Sequence, residues 1–223
     1  GGKGTAVADQ HIVYNHLIDR PMNQFNSGTN EIIKDWLTAE GNIWDFRTMT
    51  VDKDMQLTAQ WIPYSDPSKI TIELTDDTTI VDVHYYQSVV GGVEVLWGDT
   101  TIEPSISNIY GNTFVTHTYT KPGTYKIEIS CKNGSHKLGG GTVDKAVVTP
   151  ASTIKNIEFA YNLSELSLGC LANATNLVEL NLTSYMRNIS SYMCQNCANL
   201  ETINWPEDSS LLEIGDYAFQ GCA

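Results

Sequence analysis

Leu177-Val178-Glu179-Leu180-Asn181-Leu182 and, 23 positions later, Leu200-Glu201-Thr202-Ile203-Asn204-Trp205 decide how the last third of this chain folds. Both have the spacing L-x-x-L-x-L, in which the last two apolar residues alternate with polar ones. Alternation is the period of a strand with one buried face, so Leu180 and Leu182 point inward. The same period reaches back to Ile157 and Phe159, and Leu166 and Ile189 share it. A third copy arrives late, Ile214 following Ile189 by 25, with the two extra residues within Pro206-Glu207-Asp208-Ser209-Ser210. Leu171, Cys194 and Phe219 form one further column, and Ala174, Cys197 and Cys222 another. Such a period is that of a solenoid, where each unit buries its apolar face only against its neighbours. The stretches Tyr192 to Cys197 and Tyr217 to Cys222 are expected to be the short helices opposite the strands.

Ile214-Gly215-Asp216-Tyr217-Ala218-Phe219-Gln220-Gly221-Cys222 resembles the BspA-type leucine-rich repeat of bacterial surface proteins. The resemblance covers residues 154–223 in about three copies. The second keeps Ile189, Tyr192, Cys197 and Leu200 but has Ser190 and Cys194 where Gly and Phe are usual. The first is degenerate, as terminal repeats often are.

On the solenoid strands, the residues between the buried ones face solvent. Asn156, Glu179 and Thr202 make one such column, and Glu158, Asn181 and Asn204 another. These side chains donate and accept hydrogen bonds. They form either a solvated sheet face or part of a polar ligand groove. Hydroxyl-rich ligands such as glycans suit the groove, and a polyanion would be repelled by Glu158 and Glu179.

Thirteen basic residues against 26 acidic give a net charge of −13, while 41% of the chain is hydrophobic. Packed cores are therefore expected, and a nucleic-acid partner is not, because that needs a basic footprint. No stretch is long and apolar enough to span a membrane, so no direct membrane insertion is expected of this segment. The five cysteines have no framework spacing. Cys194-x-x-Cys197 lacks the second ligand pair that zinc requires. Their columns also hold Leu171, Phe219 and Ala174, so buried, reduced and unmetallated thiols are expected, and no cofactor.

Proline-containing stretches at Pro63-Tyr64-Ser65-Asp66-Pro67-Ser68 and Thr149-Pro150-Ala151-Ser152 divide the chain into three expected domains, 1–65, 66–150 and 151–223, each with its own core. In the middle one, Ile70 to Leu74, Val93 to Val95 and Tyr125 to Ile129 alternate as strands, punctuated by Gly91-Gly92, Gly98, Pro122-Gly123 and Gly139-Gly140-Gly141. Trp97-Gly98-Asp99-Thr100 followed by His117-Thr118-Tyr119 and Pro122-Gly123-Thr124-Tyr125 is similar to the polycystic kidney disease (PKD) domain, with Thr100 in place of the usual Gly. The resemblance implies an immunoglobulin-like β-sandwich that is extracellular and acts as spacer or adhesion module. Asp99 and His117 lack a nucleophile or third partner, so they read as a turn-shaping Asp and a His packed beside a strand. Asp76-Asp77 reads as an exposed acidic turn, since a Ca²⁺ site needs more oxygens at a defined spacing.

Trp36-Leu37-Thr38-Ala39-Glu40-Gly41, Trp44-Asp45-Phe46 and Met55-Gln56-Leu57-Thr58-Ala59-Gln60-Trp61 resemble the Listeria–Bacteroides repeat, with Asp35 and Thr58 departing from its pattern. The match covers about residues 8–62. It implies a small β-grasp-like domain with Trp36, Trp44 and Trp61 in its core. Its opening strand should precede Gly1-Gly2, and the solenoid stops at Ala223, so the chain is expected to be a fragment whose signal and anchor lie elsewhere. The fold class is thus multidomain and mainly β: a truncated β-grasp-like repeat, a sandwich and a short α/β leucine-rich solenoid. The leading functional expectation is a non-enzymatic, extracellular or cell-surface protein that binds a host or matrix protein or a glycan through the repeats. The alternative is a set of accessory modules of a larger secreted or surface enzyme acting on polysaccharide or protein.

Overall fold

The computed structural model describes residues 11, 15–18, 25–26, 31–46, 48–63, 67–87, 92–101, 104–131, 136–160, 163, 166–183, 186–206 and 211–223. Outside them lie Gly1-Gly2 and most of the first 30 residues, Tyr64 to Asp66 of the first junction, Gly91, and residues 207–210 of the late insertion. The described residues are mainly β, and they hold no α-helix.

The chain divides into two compact units, Gly1–Ser65 and Asp66–Ala223. In the first, β1 (Phe25–Asn26), β2 (Glu31–Leu37) and β3 (Thr58–Pro63) form an antiparallel sheet in that order. A register irregularity falls between Ile33 and Asp35. Ile33 and Trp44 are buried, while Trp36 and Trp61 are half-buried. The backbone N–H of Trp44 donates to Trp36 O at 2.8 Å, next to the antiparallel Leu37–Ile43 bridge.

The second unit contains β4 (Ser68–Leu74), β5 (Thr79–Gln87), β6 (Val93–Leu96), β7 (Ser105–Ile106), β8 (Gly111–Tyr119), β9 (Gly123–Cys131), β10 (His136–Leu138) and β11 (Val148–Thr149). It continues with β12 (Ile154–Glu158), β13 (Glu179–Asn181), β14 (Asn188–Ile189), β15 (Thr202–Asn204) and β16 (Glu213–Ile214). Two sheets face each other. One has seven strands in the order β15-β13-β12-β4-β9-β6-β7; in the other, β5 pairs β8 along its whole length and both β10 and β11. The alternation read from the sequence sends Ile70, Ile72 and Leu74 of β4 and Val81, Val83 and Tyr85 of β5 into the space between them. Ile127, Ile129, Val93, Val95 and Trp97 complete that core. At about 25 cal/mol per Å² of apolar surface, each such side chain contributes roughly 1.5–3 kcal/mol by leaving water.

Trp97 locks the two sheets together. Its Nε1 donates to Ser105 Oγ at 2.8 Å, and its carbonyl accepts from the Tyr119 hydroxyl at 2.6 Å. Gly98 follows with φ +75°, and a Cβ there would lie 2.2 Å from Lys126 O, so the turn after Trp97 accepts no larger residue. Asp99 Oδ1 accepts the Thr101 N–H at 2.8 Å and Oδ2 meets His117 Nε2 at 2.7 Å, while the His117 ring stacks on Trp97 with centroids 4.9 Å apart. Asp99 therefore shapes a turn and His117 packs beside a strand.

The expected boundary at 150/151 is not where the structure divides. Residues 66–223 form one unit, because the edges of both sandwich sheets are extended by the start of the repeat. β12 adds antiparallel to β4, with Ile154 opposite Ile72 and Ile157 opposite Ile70; β11 adds antiparallel to β5, with Val148 opposite Val83. A lone repeat stack would expose an unpaired edge and an open core. Here the sandwich covers both at the N-terminal side. The repeat columns consequently begin earlier than position 154. Val148, Leu171, Cys194 and Phe219 share one column, and Ala151, Ala174, Cys197 and Cys222 another. All of these but Phe219 and Cys222 are buried.

The segments expected to be helices are successive turns instead. Asn173, Asn196 and Gly221 share a column with φ of 63°, 59° and 75°, and Gly169, Tyr192 and Tyr217 share another at 66°, 59° and 57°. Left-handed residues at these positions interrupt any helix. Backbone N–H groups released from helical bonding go to the next copy: Leu171 N donates to Met193 O at 2.8 Å, and Cys194 N to Ala218 O at 2.7 Å. The side of the solenoid opposite its strands is thereby held by a second ladder of backbone bonds. Cysteine joins that scheme. Cys197 Sγ donates to Leu171 O at 3.1 Å and Cys222 Sγ to Cys194 O at 3.2 Å, so this column ties each copy to the one before. Cys170, Cys194 and Cys197 are free and buried, and burial pushes the Cys170 thiol up.

Candidate functional site

The expected ligand-facing residues lie on β12, β13 and β15. Ile157 and Leu180 point into the solenoid core with no exposed surface, and Ile203 is half-buried. Strand alternation then turns Glu158, Glu179, Asn181, Thr202 and Asn204 outward, and all five are exposed. The parallel register puts Glu158 beside Asn181 and Asn181 beside Asn204, so that column forms a continuous row. Asn204 Nδ2 donates to Asn181 Oδ1 at 2.8 Å and also to Glu179 Oε1, which links the two columns. Glu179 and Thr202 are register partners. Asn156 is placed differently. It is half-buried next to a register irregularity and opposes Thr71 of β4. The first member of that column thus lies on the same outer face, but beside β4 of the sandwich.

The structure extends this surface beyond the residues singled out in the sequence. The row Asn204–Asn181–Glu158 continues through Lys69 of β4 to Glu128 of β9. Asn156 and Thr71 lead likewise to Lys126. Lys126 Nζ lies 3.5 Å from Glu158 Oε1, and Lys155 Nζ lies 2.8 Å from Glu73 Oε2. Both pairs are about half exposed, so each contributes roughly 0–1 kcal/mol and serves mainly to balance charge. In a chain of net charge −13 these lysines offset part of the carboxylate charge on the outer face of the seven-stranded sheet. Alternation from Ile70 to Leu74 marked Thr71 as outward, and the structure adds Lys69 to the same side. Nothing in the sequence placed them beside Glu158.

Chemically the surface offers amides, a hydroxyl, carboxylates and ammonium groups on a flat backbone frame. Such groups can donate and accept several hydrogen bonds along one face. Among the described residues, no group of three or more His, Cys, Asp or Glu is placed to hold a metal ion. Also among them, no helix is long and apolar enough to cross a membrane.

Residues 143–223 match the BspA type leucine rich repeat region (6 copies). No curated protein and no solved structure matches the chain. The BspA-type match begins ahead of Val148 and Ala151, in agreement with the columns that the fold extends back to those residues. β11 is consequently both a strand of the sandwich and the opening of the BspA-type region.

Proposed function

We propose that this chain is the ligand-capturing part of a non-enzymatic bacterial surface protein, located outside the cell. The BspA-type region supports surface association and binding through the repeats. The observation that carries the reading is the exposed row Glu158–Asn181–Asn204, in register on neighbouring strands and built from hydrogen-bonding side chains. In this reading the sandwich is a PKD-like, immunoglobulin-like module, and residues 1–65 are a β-grasp-like Listeria–Bacteroides repeat. The two act as stalk and spacer. The ligand of the repeats is a host or matrix protein or a glycan.

The test is a screen of the immobilised chain against matrix proteins and glycans, followed by the double variant Glu179→Ala with Asn181→Ala. Binding of the ligand found is expected to weaken at least about tenfold, equivalent to roughly 1.4 kcal/mol. The melting temperature should stay within about 1 °C, because both side chains are exposed. Undiminished binding would move the site off the repeat strands.

A further inference from the structure

We propose a second binding site, for a neutral polysaccharide, on the outer face of the sheet formed by β5 and β8. This face lies on the opposite side of the sandwich from the repeat strands, since the two sheets bury their inner faces against each other. The antiparallel register arranges its outward residues in rows: Tyr86 with Asn112, His84 with Phe114, Asp82 with Thr116, and Ile80 with Thr118. Successive rows are about 7 Å apart along the strands.

Rings and hydrogen-bonding groups alternate here. Phe114 is 54% exposed although it sits on a strand, and its ring leans on buried His84 at 5.3 Å between centroids. Tyr110, 63% exposed, packs edge-on against Tyr86 at 6.2 Å, and their hydroxyls are 3.4 Å apart. One row further from the tyrosines than Phe114, Thr116 Oγ1 donates to Asp82 Oδ1 at 2.6 Å and so fixes that carboxylate. A pyranose ring presents an apolar C–H face and a rim of hydroxyls. Its C–H face fits the electron-rich face of Phe114 or Tyr110, and its rim fits Asn112, Asp82 and Thr116.

Patterning and charge select this occupant over others. Its exposed large apolar side chains, Phe114, Tyr110 and Ile80, are separated by polar rows, unlike the continuous apolar centre of a stable protein interface. The net charge of −13 disfavours acidic polysaccharides and nucleic acids. A neutral chain, held by one or two stacked rings and a few hydrogen bonds, meets neither obstacle.

The experiment is native affinity electrophoresis of the full chain through gels containing laminarin, xylan, mannan, galactan or soluble starch. At least one should retard the wild-type chain. Phe114→Ala should weaken that retardation at least tenfold in apparent Kd, and Phe114→Tyr, which keeps a ring, should preserve it. The variant Glu179→Ala with Asn181→Ala should bind as the wild type does. The proposal is overturned if no polysaccharide retards the chain, or if Phe114→Ala binds as tightly as the wild type. It is also overturned if binding is lost only in the Glu179→Ala, Asn181→Ala variant. That last outcome would place the glycan on the repeats and leave the reading of their function standing.

Discussion

Replacing Leu180 with alanine tests whether the sandwich and the repeats share one folding unit. Leu180 is fully buried on β13, and two strand pairings, through β12, separate it from β4 of the sandwich. Truncating a buried leucine removes its transfer energy and leaves a cavity, at a cost of about 2.7–5 kcal/mol. A loss of about 3 kcal/mol lowers the folding equilibrium constant by roughly two orders of magnitude. The unit has the size for which 1 kcal/mol moves the melting temperature by about 2–4 °C, so a drop of roughly 6–12 °C is expected. The informative assay is hydrogen exchange resolved by peptide. Because β12 continues the β4 edge and β11 continues the β5 edge, the slowest amides of β4 and β9 should open only with the whole unit. Their protection should therefore fall about as far as that of β13. If β13 loses protection while β4 and β9 keep theirs, the repeats and the sandwich are separate cores and the continuous sheet carries no cooperativity.

Two further outcomes follow from particular side chains. His84 is buried beside Thr149, its Nε2 2.9 Å from Thr149 Oγ1, and burial holds its pKa below the ordinary value, although Asp82 acts in the opposite sense. The unfolded chain takes up this proton below about pH 6.5 while the folded chain does not, so His84 lowers stability as pH falls from about 6.5 toward its folded pKa. Melting temperature should thus decline less steeply between about pH 7 and 5.5 in His84→Gln than in the wild type, and equal slopes would exclude the effect. At Asn196, where φ is 59°, Asn196→Val should cost about 1–2 kcal/mol more than Asn196→Gly in urea unfolding, because only the β-branched residue resists the left-handed region. Equal losses would mean that the Asn196–Asn173 side-chain bond, at 3.1 Å, dominates that position.

Much of the fold was legible because strands and repeats write themselves as periods. The 23-residue spacing identified the buried columns of the earlier copies, and alternation gave the inward and outward sides of β4, β9, β12 and β13, whereas in the last copy Ile203 is half-buried and Trp205 and Ile214 of the same columns are exposed. The Trp97-Gly98-Asp99 stretch was read as a turn, with His117 packed nearby, and the hydrogen bonds of Asp99 and the stacking of Trp97 bear that out. The period also extended to Val148 and Ala151, where the start of the repeat could have been found by stepping back one more copy from Leu171 and Ala174.

Two things were decided only in three dimensions. The turns at Tyr192 to Cys197 looked helical because their apolar residues recur at helical spacing, whereas the left-handed conformations that break the helix occur at Tyr192 and Asn196, residue types that do not by themselves demand it. The second is the union of sandwich and repeats. Proline and small residues at Thr149-Pro150-Ala151 marked a change of direction, and a change of direction was read as a boundary. Strand edges pair through backbone N–H and C=O groups that every non-proline residue carries, so which edge β11 and β12 would join left no signature in their side chains. That choice placed Lys69, Thr71 and Lys126 beside Glu158 and Asn156 and determined the extent of the outward surface.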